Sequence, residues 1–517
     1  MRLFQASTFV TAFAVFWAAE ATFATNEASA PLESEPALEE LDEAAQKRAA
    51  DAADKAAVLD ALNDLTRNRI FRESEVALHL VELDTGETVF SHGGDQGLTP
   101  ASTMKVLTAA AALRELGPSF RFTTQILSDG KVNAKGELDG NLYVRGGGDP
   151  SMVIEKLWKM VYDLKLEGIR SITGNIIFDD SYFDDRTRIA GWNKQKDIDR
   201  GPSYFAPVGA LSLNFNTVAV VVGPGEEVGG PARVSVETPS PGIVEVDNQM
   251  TTGSSRSSRR VGMDRSVDGR SMTLTLTGSV PSGGDSTRYY RSVADPTAYF
   301  MAAFAAQMSE QGIEVRGRYE EGVAAEELDL LLQVQSPPLA SILMDMNKYS
   351  SNFIAEQVLK AVGAETSGEA GSTLKGIEAI SAYLGSLGIS DEEYVLVNGS
   401  GLSRRIVLRP DHLTAVLTDM AKDAKVSPEF MASLAIGGRD GTLWSRFRDE
   451  KQVDRLRGKT GTINGVHCLA GYIDGPNGKT YAFAYLVNRL RGGISRARKA
   501  HDQFVETLME PAQGTVP

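Results

Sequence analysis

Cysteine and histidine are scarce in this chain. Cys468 is its single cysteine, so the chain cannot form an internal disulfide, and a Cys/His zinc cluster is excluded by count. No two histidines have the i, i+4 spacing of a helical zinc site. The histidines are His79, His92, His412, His467 and His501. We therefore expect no metal site, and we interpret each histidine as exposed or satisfied by its neighbours.

Positive charge and long apolar runs are also limited. The chain has 53 Lys and Arg against 68 Asp and Glu, a formal net charge of -15. This acidic balance argues against nucleic acid as the main partner. The longest apolar run, 6–19, is shorter than the roughly 20 residues of a transmembrane helix. We expect no integral membrane span in the mature protein, and the oligomeric state stays open.

The N-terminus has the pattern of a secretory signal peptide, which we assign to residues 1–30. Arg2 precedes the apolar run, and Ala28-Ser29-Ala30 forms an A-x-A cleavage site. No cysteine follows the run, which argues against a bacterial lipid anchor. The mature protein is predicted to begin near Pro31, or near Thr25 if cleavage follows Ala24. The alternative is an uncleaved amphipathic anchor.

The length of 517 residues predicts more than one domain. After an acidic, Ala-rich leader and helix at 31–66, we predict one discontinuous α/β (α+β) domain from 67–120 and 334–517. Short strand patterns separated by Gly, Asn, Asp and Pro predict a β-rich insertion at 121–333, with a helix at 154–166 between the strands. A finer division nests 152–222 between 121–151 and 223–333. The Ser- and Arg-rich segment 253–269 is predicted to be an exposed loop.

Three short patterns carry the chemistry, and the first is Ser102-Thr103-Met104-Lys105, which follows Pro100 at the predicted start of a helix. On a helix, residues i and i+3 share a face, so the Lys105 amine can reach the Ser102 hydroxyl. A serine needs such a base to become a useful nucleophile. Lysine can serve as that base only if burial or a nearby cation lowers its pKa.

The second pattern is Ser350-Ser351-Asn352 and the third is Lys459-Thr460-Gly461-Thr462. Ser350 could relay a proton, and the Asn352 carboxamide can bind a peptide-like substrate. On an edge strand, Lys459 and the hydroxyls of Thr460 and Thr462 suit a terminal carboxylate, and the Lys459 charge would help lower the pKa of Lys105. Gly461 leaves room for close approach of the substrate.

Single matches to such patterns are common by chance. The segment 128–131 also fits S-x-x-K and 212–214 also fits S-x-N, but Gly130 predicts a turn at the first of these rather than a helix. The ordered set of three patterns, each in the context it needs, is the motif set of serine penicillin-binding proteins and β-lactamases. No G-x-S-x-G elbow is present, which argues against a general α/β-hydrolase.

Longer stretches extend the match, among them LTPASTMKVLTAAAAL at 98–113, NKYSSNFIAEQVL at 347–359 and GKTGTINGVHCLAGYI at 458–473. With these the chain resembles the class C low-molecular-mass penicillin-binding proteins, the D-alanyl-D-alanine carboxypeptidase/endopeptidase family of the penicillin-binding protein 4 type (peptidase family S13). The resemblance covers nearly the whole chain after about residue 70. Ser351 stands where the family often has aspartate, and Asn398 begins NGSG where the family often has DGSG.

The resemblance implies a serine β-lactamase/penicillin-binding-protein transpeptidase-like fold with a β-rich two-domain insertion. It also implies cleavage of peptidoglycan peptides ending in D-Ala-D-Ala, through an acyl-enzyme on Ser102 with Lys105 as base and Ser350 as relay. The substrate would be bound by Asn352, Lys459, Thr460, Gly461 and Thr462, with the backbone N–H groups of Ser102 and Thr462 as the oxyanion hole. We expect no cofactor, a periplasmic location and covalent inhibition by β-lactams. The alternatives are a β-lactamase or esterase on the same fold, and an inactive wall-binding homologue.

Overall fold

The computed structural model describes residues 55–56, 58–192, 200–475, 478–491 and 493–509. The predicted signal peptide, 1–30, and the leader as far as residue 54 lie outside these ranges. Residues 58–66, at the end of the predicted leader and helix, are helical. Among the described residues, no helix combines the length and apolar character needed to cross a membrane.

The helix at 154–166 has the predicted bounds. The α-helices are α1 (Arg69–Glu73), α2 (Lys105–Glu115), α3 (Ile154–Leu166), α4 (Pro296–Glu310), α5 (Leu339–Lys348), α6 (Asn352–Ser367), α7 (Thr373–Ser386), α8 (Pro410–Lys422), α9 (Ser427–Ser433) and α10 (Ile494–Met509). Short 3-10 helices cover Ala101–Met104, Ser203–Phe205, Asn214–Asn216, Asp391–Glu393 and Gly441–Leu443.

The strands of the described residues form five sheets. They are β1 (Glu75–Glu82), β2 (Thr88–His92), β3 (Thr123–Ser128), β4 (Lys131–Val132), β5 (Glu137–Asp139), β6 (Leu142–Arg145), β7 (Ser171–Ile172), β8 (Ile176–Asp179), β9 (Thr217–Gly223), β10 (Arg233–Val236), β11 (Val244–Gly253), β12 (Arg260–Asp268), β13 (Ser271–Pro281), β14 (Thr287–Ser292), β15 (Glu314–Val315), β16 (Tyr319–Glu321), β17 (Asp329–Gln335), β18 (Ala435–Ile436), β19 (Leu456–Ile463), β20 (Val466–Asp474) and β21 (Thr480–Asn488).

The largest sheet has six strands in the order β18-β19-β20-β21-β1-β2, joined by antiparallel pairs. Successive side chains of a strand point to opposite faces, and β20 is buried on both. Cys468 and Ala470 belong to the core formed with helices α2 and α5–α9. Leu469 and Ile473 belong to the core formed with α10 on the other face. Strands from both ends of the chain therefore build one sheet between two layers of helices.

The segment between β3 and β17 carries the four smaller sheets and its own core. Their strand orders are β16-β8-β6-β3-β17, β15-β7-β5-β4, β10-β9-β14 and β11-β13-β12. The core combines strand residues such as Val220 and Leu274 with Phe304 of α4. The prediction of an exposed loop at 253–269 is wrong over most of that segment, because β12 pairs antiparallel with β13 throughout residues 260–268. Only the short stretch 254–259 connects strands there.

Candidate active site

Ser102 lies in a tight turn at the start of a buried helix. Residues Ala101–Met104 form a 3-10 helix that continues directly into α2, which agrees with the predicted helix start near Ser102. Ala101 has φ 48°, in the left-handed region that is costly for a residue with a Cβ atom. Thr103 and Met104 are buried, whereas Ser102 is half-buried, so the turn leaves the serine accessible.

The Lys105 amine is held by three oxygen atoms from three separate parts of the chain. Its Nζ lies 3.0 Å from Ser102 Oγ, 2.8 Å from Asn352 Oδ1 and 2.7 Å from the Ser400 carbonyl oxygen. The predicted i, i+3 contact between Lys105 and Ser102 is therefore present. A side chain with three partners has little rotamer freedom left, which fixes the amine beside the serine hydroxyl.

Burial makes Lys105 a plausible base near neutral pH. The side chain is fully buried. Loss of solvation disfavours the ammonium form and lowers the pKa of Lys105 to about 7, although the carboxyl of Glu356 acts in the opposite direction. Burial lowers the pKa of Lys459 well below its usual value, and repulsion from Lys105 lowers it further.

The second motif occupies the turn between α5 and α6. Ser350 has φ 57°, and its Oγ accepts a hydrogen bond of 2.8 Å from Lys459 Nζ. Ser351 is the N-cap of α6, because its hydroxyl accepts from the backbone N–H of Ile354. Serine and aspartate are both good N-caps, which explains why either residue can stand here. Asn352 begins the helix and donates to the Tyr204 carbonyl at 3.2 Å.

Lys459 lies in β19 behind Ser350 rather than facing solvent. It is fully buried, and its Nζ also donates to the Thr460 carbonyl at 2.8 Å. The neighbouring strand β18 pairs only with residues 457 and 458, so the outer edge of β19 has no strand partner beyond them among the described residues. This free edge, half-buried at Thr460 and exposed at Thr462, is open to an extended substrate.

Gly461 brings β19 into direct contact with the Ser102 turn. A Cβ atom at this position would lie 2.7 Å from the Pro100 carbonyl oxygen and 3.0 Å from the backbone nitrogens of Ser102 and Thr103. Only a glycine allows this approach without movement of the backbone. The contact places the Ser102 and Thr462 segments side by side, as two converging oxyanion-hole donors require.

The sequence patterns assigned no role to two neighbours of Lys105, Glu356 and Ser400. Glu356 is fully buried, and its carboxylate accepts from the backbone N–H groups of Gly399 and Ser400 at 3.1 and 2.8 Å. These bonds hold the NGSG turn, whose Ser400 carbonyl contacts Lys105. Available signals were the position of Glu356 one helical turn after Asn352 and the turn-forming residues of 398–401.

The chance matches to the motifs lie elsewhere. Ser128 ends β3, its hydroxyl donates to the Asn141 carbonyl, and the next two residues turn into β4, which confirms the predicted turn. Ser212 is buried and bonds to Gly209 and Gln357. Among the described residues, no cluster of three or more His, Cys, Asp and Glu side chains could hold a metal ion.

Known proteins share this architecture. Residues 58–510 match the D-Ala-D-Ala carboxypeptidase 3 (S13) family. A D-alanyl-D-alanine carboxypeptidase of Actinomadura sp. is 33% identical over 452 residues, which is 85% of this chain and 82% of the relative. The crystal structure of penicillin-binding protein 4 from Haemophilus influenzae is similar with a TM-score of 0.74 and 28% identity, covering 86% of this chain and 98% of the other.

A second crystal structure of the Haemophilus influenzae protein, complexed with a β-lactam, matches with a TM-score of 0.69 and 27% identity over 86% of this chain and 97% of the other. The family match spans both the six-stranded sheet and the segment inserted into it. The chain therefore belongs to the D-Ala-D-Ala carboxypeptidase 3 (S13) family and is a serine-type D-Ala-D-Ala carboxypeptidase with the penicillin-binding-protein fold.

Proposed function

We propose that this enzyme cleaves D-Ala-D-Ala ends of peptidoglycan peptides through an acyl-enzyme on Ser102. The observation that carries the assignment is the 3.0 Å contact between the Ser102 hydroxyl and the buried Lys105 amine. Lys105 with a pKa of about 7 has a substantial neutral fraction at physiological pH. That fraction can accept a proton from the serine, as general-base catalysis requires.

The acylation step follows from this arrangement. Lys105 accepts the Ser102 proton while Oγ attacks the carbonyl carbon of the penultimate D-Ala. The developing oxyanion is stabilised by the N–H groups of Ser102 and Thr462, each donor being worth about 3–4 kcal/mol in comparable sites. The C–N bond then breaks as the Ser350 hydroxyl gives its proton to the departing D-Ala amine and takes in its place the proton that Lys105 accepted from Ser102. Water hydrolyses the resulting ester and restores the serine.

The hydroxyls of Thr460 and Thr462 hold the substrate carboxylate in this proposal, and Asn352 holds the peptide backbone. The burial of Lys459 supports an indirect role for its amine. From behind the strand it orients Ser350 by a 2.8 Å hydrogen bond, and any positive charge it carries attracts the carboxylate through the protein. Gly461 supplies the close approach between the substrate edge and the Ser102 turn.

We further propose that β-lactams acylate the same serine and that the enzyme works in the periplasm. The first proposal is supported by the β-lactam complex of the Haemophilus influenzae protein. The second is supported by the signal-peptide pattern of residues 1–30, and N-terminal sequencing of the exported protein tests it. Cleavage of cross-linked wall peptides, the endopeptidase reaction, requires only that a longer amine leaves from the same site.

Mass spectrometry after penicillin treatment tests the nucleophile. The adduct is expected on the peptide containing Ser102, and Ser102→Ala should abolish both the adduct and D-Ala release. Ser128→Ala, in the other S-x-x-K match, is the matched control and should retain both activities. An adduct on Ser128 or Ser400 would refute the assignment, and rapid release of hydrolysed penicillin with no D-Ala release would indicate a β-lactamase.

A further inference from the structure

Two buried histidines lie behind the substrate edge of β19. His467 is on β20 and His501 is on α10, with exposed fractions of 2% and 0%. Their rings stack with centroids 5.0 Å apart and an angle of 14° between the planes. The Tyr485 ring lies 4.4 Å from His501 on centroids. The pair therefore occupies an aromatic pocket in the core that α10 covers.

This pocket keeps both imidazoles neutral. Burial lowers the pKa of His467 to about 4, with further lowering from the positive charges of Arg446 and Arg498. Burial, the neighbouring His467 and Arg446 lower the pKa of His501 well below its usual value. The expectation that each histidine is satisfied is wrong for His501, because neither of its ring nitrogens has a hydrogen-bond partner among the described residues.

His467 connects this pocket to the active site. The β19–β20 register places it directly opposite Thr462, and its Nδ1 lies 2.8 Å from the Thr462 hydroxyl oxygen. Its other ring nitrogen, Nε2, is buried and has no partner within the described part of the chain. The Thr462 residue itself is exposed at the free edge of β19.

These contacts favour one tautomer of His467. A neutral imidazole carries one N–H, and a buried N–H without an acceptor is rare in folded proteins. A proton on Nε2 would be such an orphan, whereas a proton on Nδ1 has the Thr462 oxygen as acceptor. For His467 itself, the Nδ1–H tautomer therefore leaves only a lone pair, at Nε2, without a partner.

We propose that His467 is a positioning residue that donates its Nδ1–H to Thr462 Oγ1 and thereby directs the Thr462 hydroxyl hydrogen to the substrate carboxylate. A threonine hydroxyl has one hydrogen to donate, and a carboxylate can only accept. With His467 as the donor, the Thr462 hydroxyl hydrogen stays available for the substrate carboxylate. The inference rests on the proposed function of Thr462 and adds the group that makes this hydroxyl an obligate donor.

The test compares two acyl-donor substrates in which the enzyme cleaves the same ester bond. An acyl-D-alanyl-D-lactate has a free carboxylate, and its methyl ester is neutral. For His467→Phe, KM for the free acid should rise about tenfold with little change in kcat, because a hydrogen bond to a charged group is weakened. The methyl ester should change much less. Equal losses on both donors would overturn the proposal.

Two control variants separate positioning from packing. His501→Phe preserves an aromatic ring in the pocket without touching Thr462, and it should leave the ratio between the two donors unchanged. Adding His467→Phe to Thr462→Val should cause no further loss on the free acid. A selective loss in His501→Phe, or additive losses in the double variant, would mean that the effect is not transmitted through the Thr462 hydroxyl.

A direct measurement covers the case in which His467→Phe fails to fold. Nitrogen-15 spectra of the histidine-labelled wild-type enzyme distinguish Nδ1–H from Nε2–H, and His467 is expected as Nδ1–H and neutral above pH 5. An Nε2–H tautomer would refute the proposal. This readout needs no turnover, whereas failure of wild-type enzyme to acylate Ser102 would refute the proposed function instead.

Discussion

At the scale of single residues, the chemistry depends on placing a lysine where it cannot stay fully charged. Lys105 is surrounded by Ser102, Asn352 and the Ser400 carbonyl, and these neutral oxygens accept hydrogen bonds without restoring the solvation that burial removes. The carboxyl of Glu356 acts in the opposite direction, because its negative charge favours the ammonium form of Lys105. The pKa of Lys105 is the balance between these two effects.

The pH dependence of acylation should report this balance. Below its pKa of about 7, Lys105 is protonated and cannot accept the serine proton, so acylation by penicillin should rise with pH through that value. In Glu356→Gln the carboxylate that favours the ammonium is gone, which lowers the pKa of Lys105. The acid limb of the second-order acylation rate should therefore move to lower pH.

Lys459 is the other ionisable group that shares the buried site, and burial lowers its pKa well below the usual value. Lys459→Met should serve as the comparison, since removal of a neighbouring cation cannot move the acid limb to lower pH. The acid limb of the acylation rate could instead lie at the same pH in Glu356→Gln and in wild type, with only the maximal rate reduced. That result would mean that Glu356 acts only by holding the 398–401 turn.

At the scale of elements, the site depends on how closely β19 lies against the turn that begins α2. In the proposed mechanism, the edge of β19 beyond residue 458 contributes substrate contacts and the turn contributes the nucleophile. Gly461 joins the two, since any Cβ atom there meets backbone atoms that no rotamer change can move. Strand and turn must therefore separate if the residue becomes larger.

Gly461→Ala should slow acylation strongly while leaving the fold intact. Displacing Thr462 from the oxyanion position removes one donor, for which losses of about 10²–10³ in rate are typical. Overpacking should lower the free energy of unfolding by about 1–3 kcal/mol. Gly385→Ala in α7 is the control, because a Cβ there meets nothing within 4 Å. Penicillin acylation rates that are equal in the two variants would contradict this explanation.

At the scale of the whole molecule, the helix that begins with Asn352 is attached to the inserted segment along its length. The Asn352 amide bonds to Tyr204, Gln357 bonds to Gly209, and Lys360 forms an ion pair of 2.5 Å with Asp184. All three partners lie within 121–333, so the inserted segment contacts this helix at Asn352, Gln357 and Lys360. The division of that insertion into domains stays a prediction.

Breaking the ion pair between Lys360 and Asp184 should destabilise the enzyme. The Lys360 side chain is fully buried and the Asp184 side chain is 25% exposed. Asp184→Asn leaves the buried ammonium without its ion-pair partner, and we expect a loss of about 2–4 kcal/mol in the free energy of unfolding, measured with urea. The exposed pair of Lys131 and Asp329 is the control, because Asp329→Asn should cost less than about 1 kcal/mol. Similar losses in both variants would show that burial of Lys360 is unimportant.

The sequence by itself determined the features that depend on local spacing. The i, i+3 relation of Ser102 and Lys105, the turn at Ser128 and the bounds of the helix 154–166 all follow from local rules of helix and turn formation. The Asn464-Gly465 turn even implies the register that sets His467 opposite Thr462. Within a helix or hairpin, backbone geometry fixes which side chains meet.

Only the tertiary structure decided what distant segments do to one another. Lys105 and Asn352 are 247 positions apart, yet they bond at 2.8 Å. The carboxyl of Glu356 and the Ser400 carbonyl reach Lys105 only through packing of α2, α6 and the 398–401 turn. The polar segment 260–268 resembles a loop in composition, and it becomes a strand because β13 supplies its hydrogen bonds. Burial and long-range pairing arise from the folded chain as a whole, which no local pattern encodes.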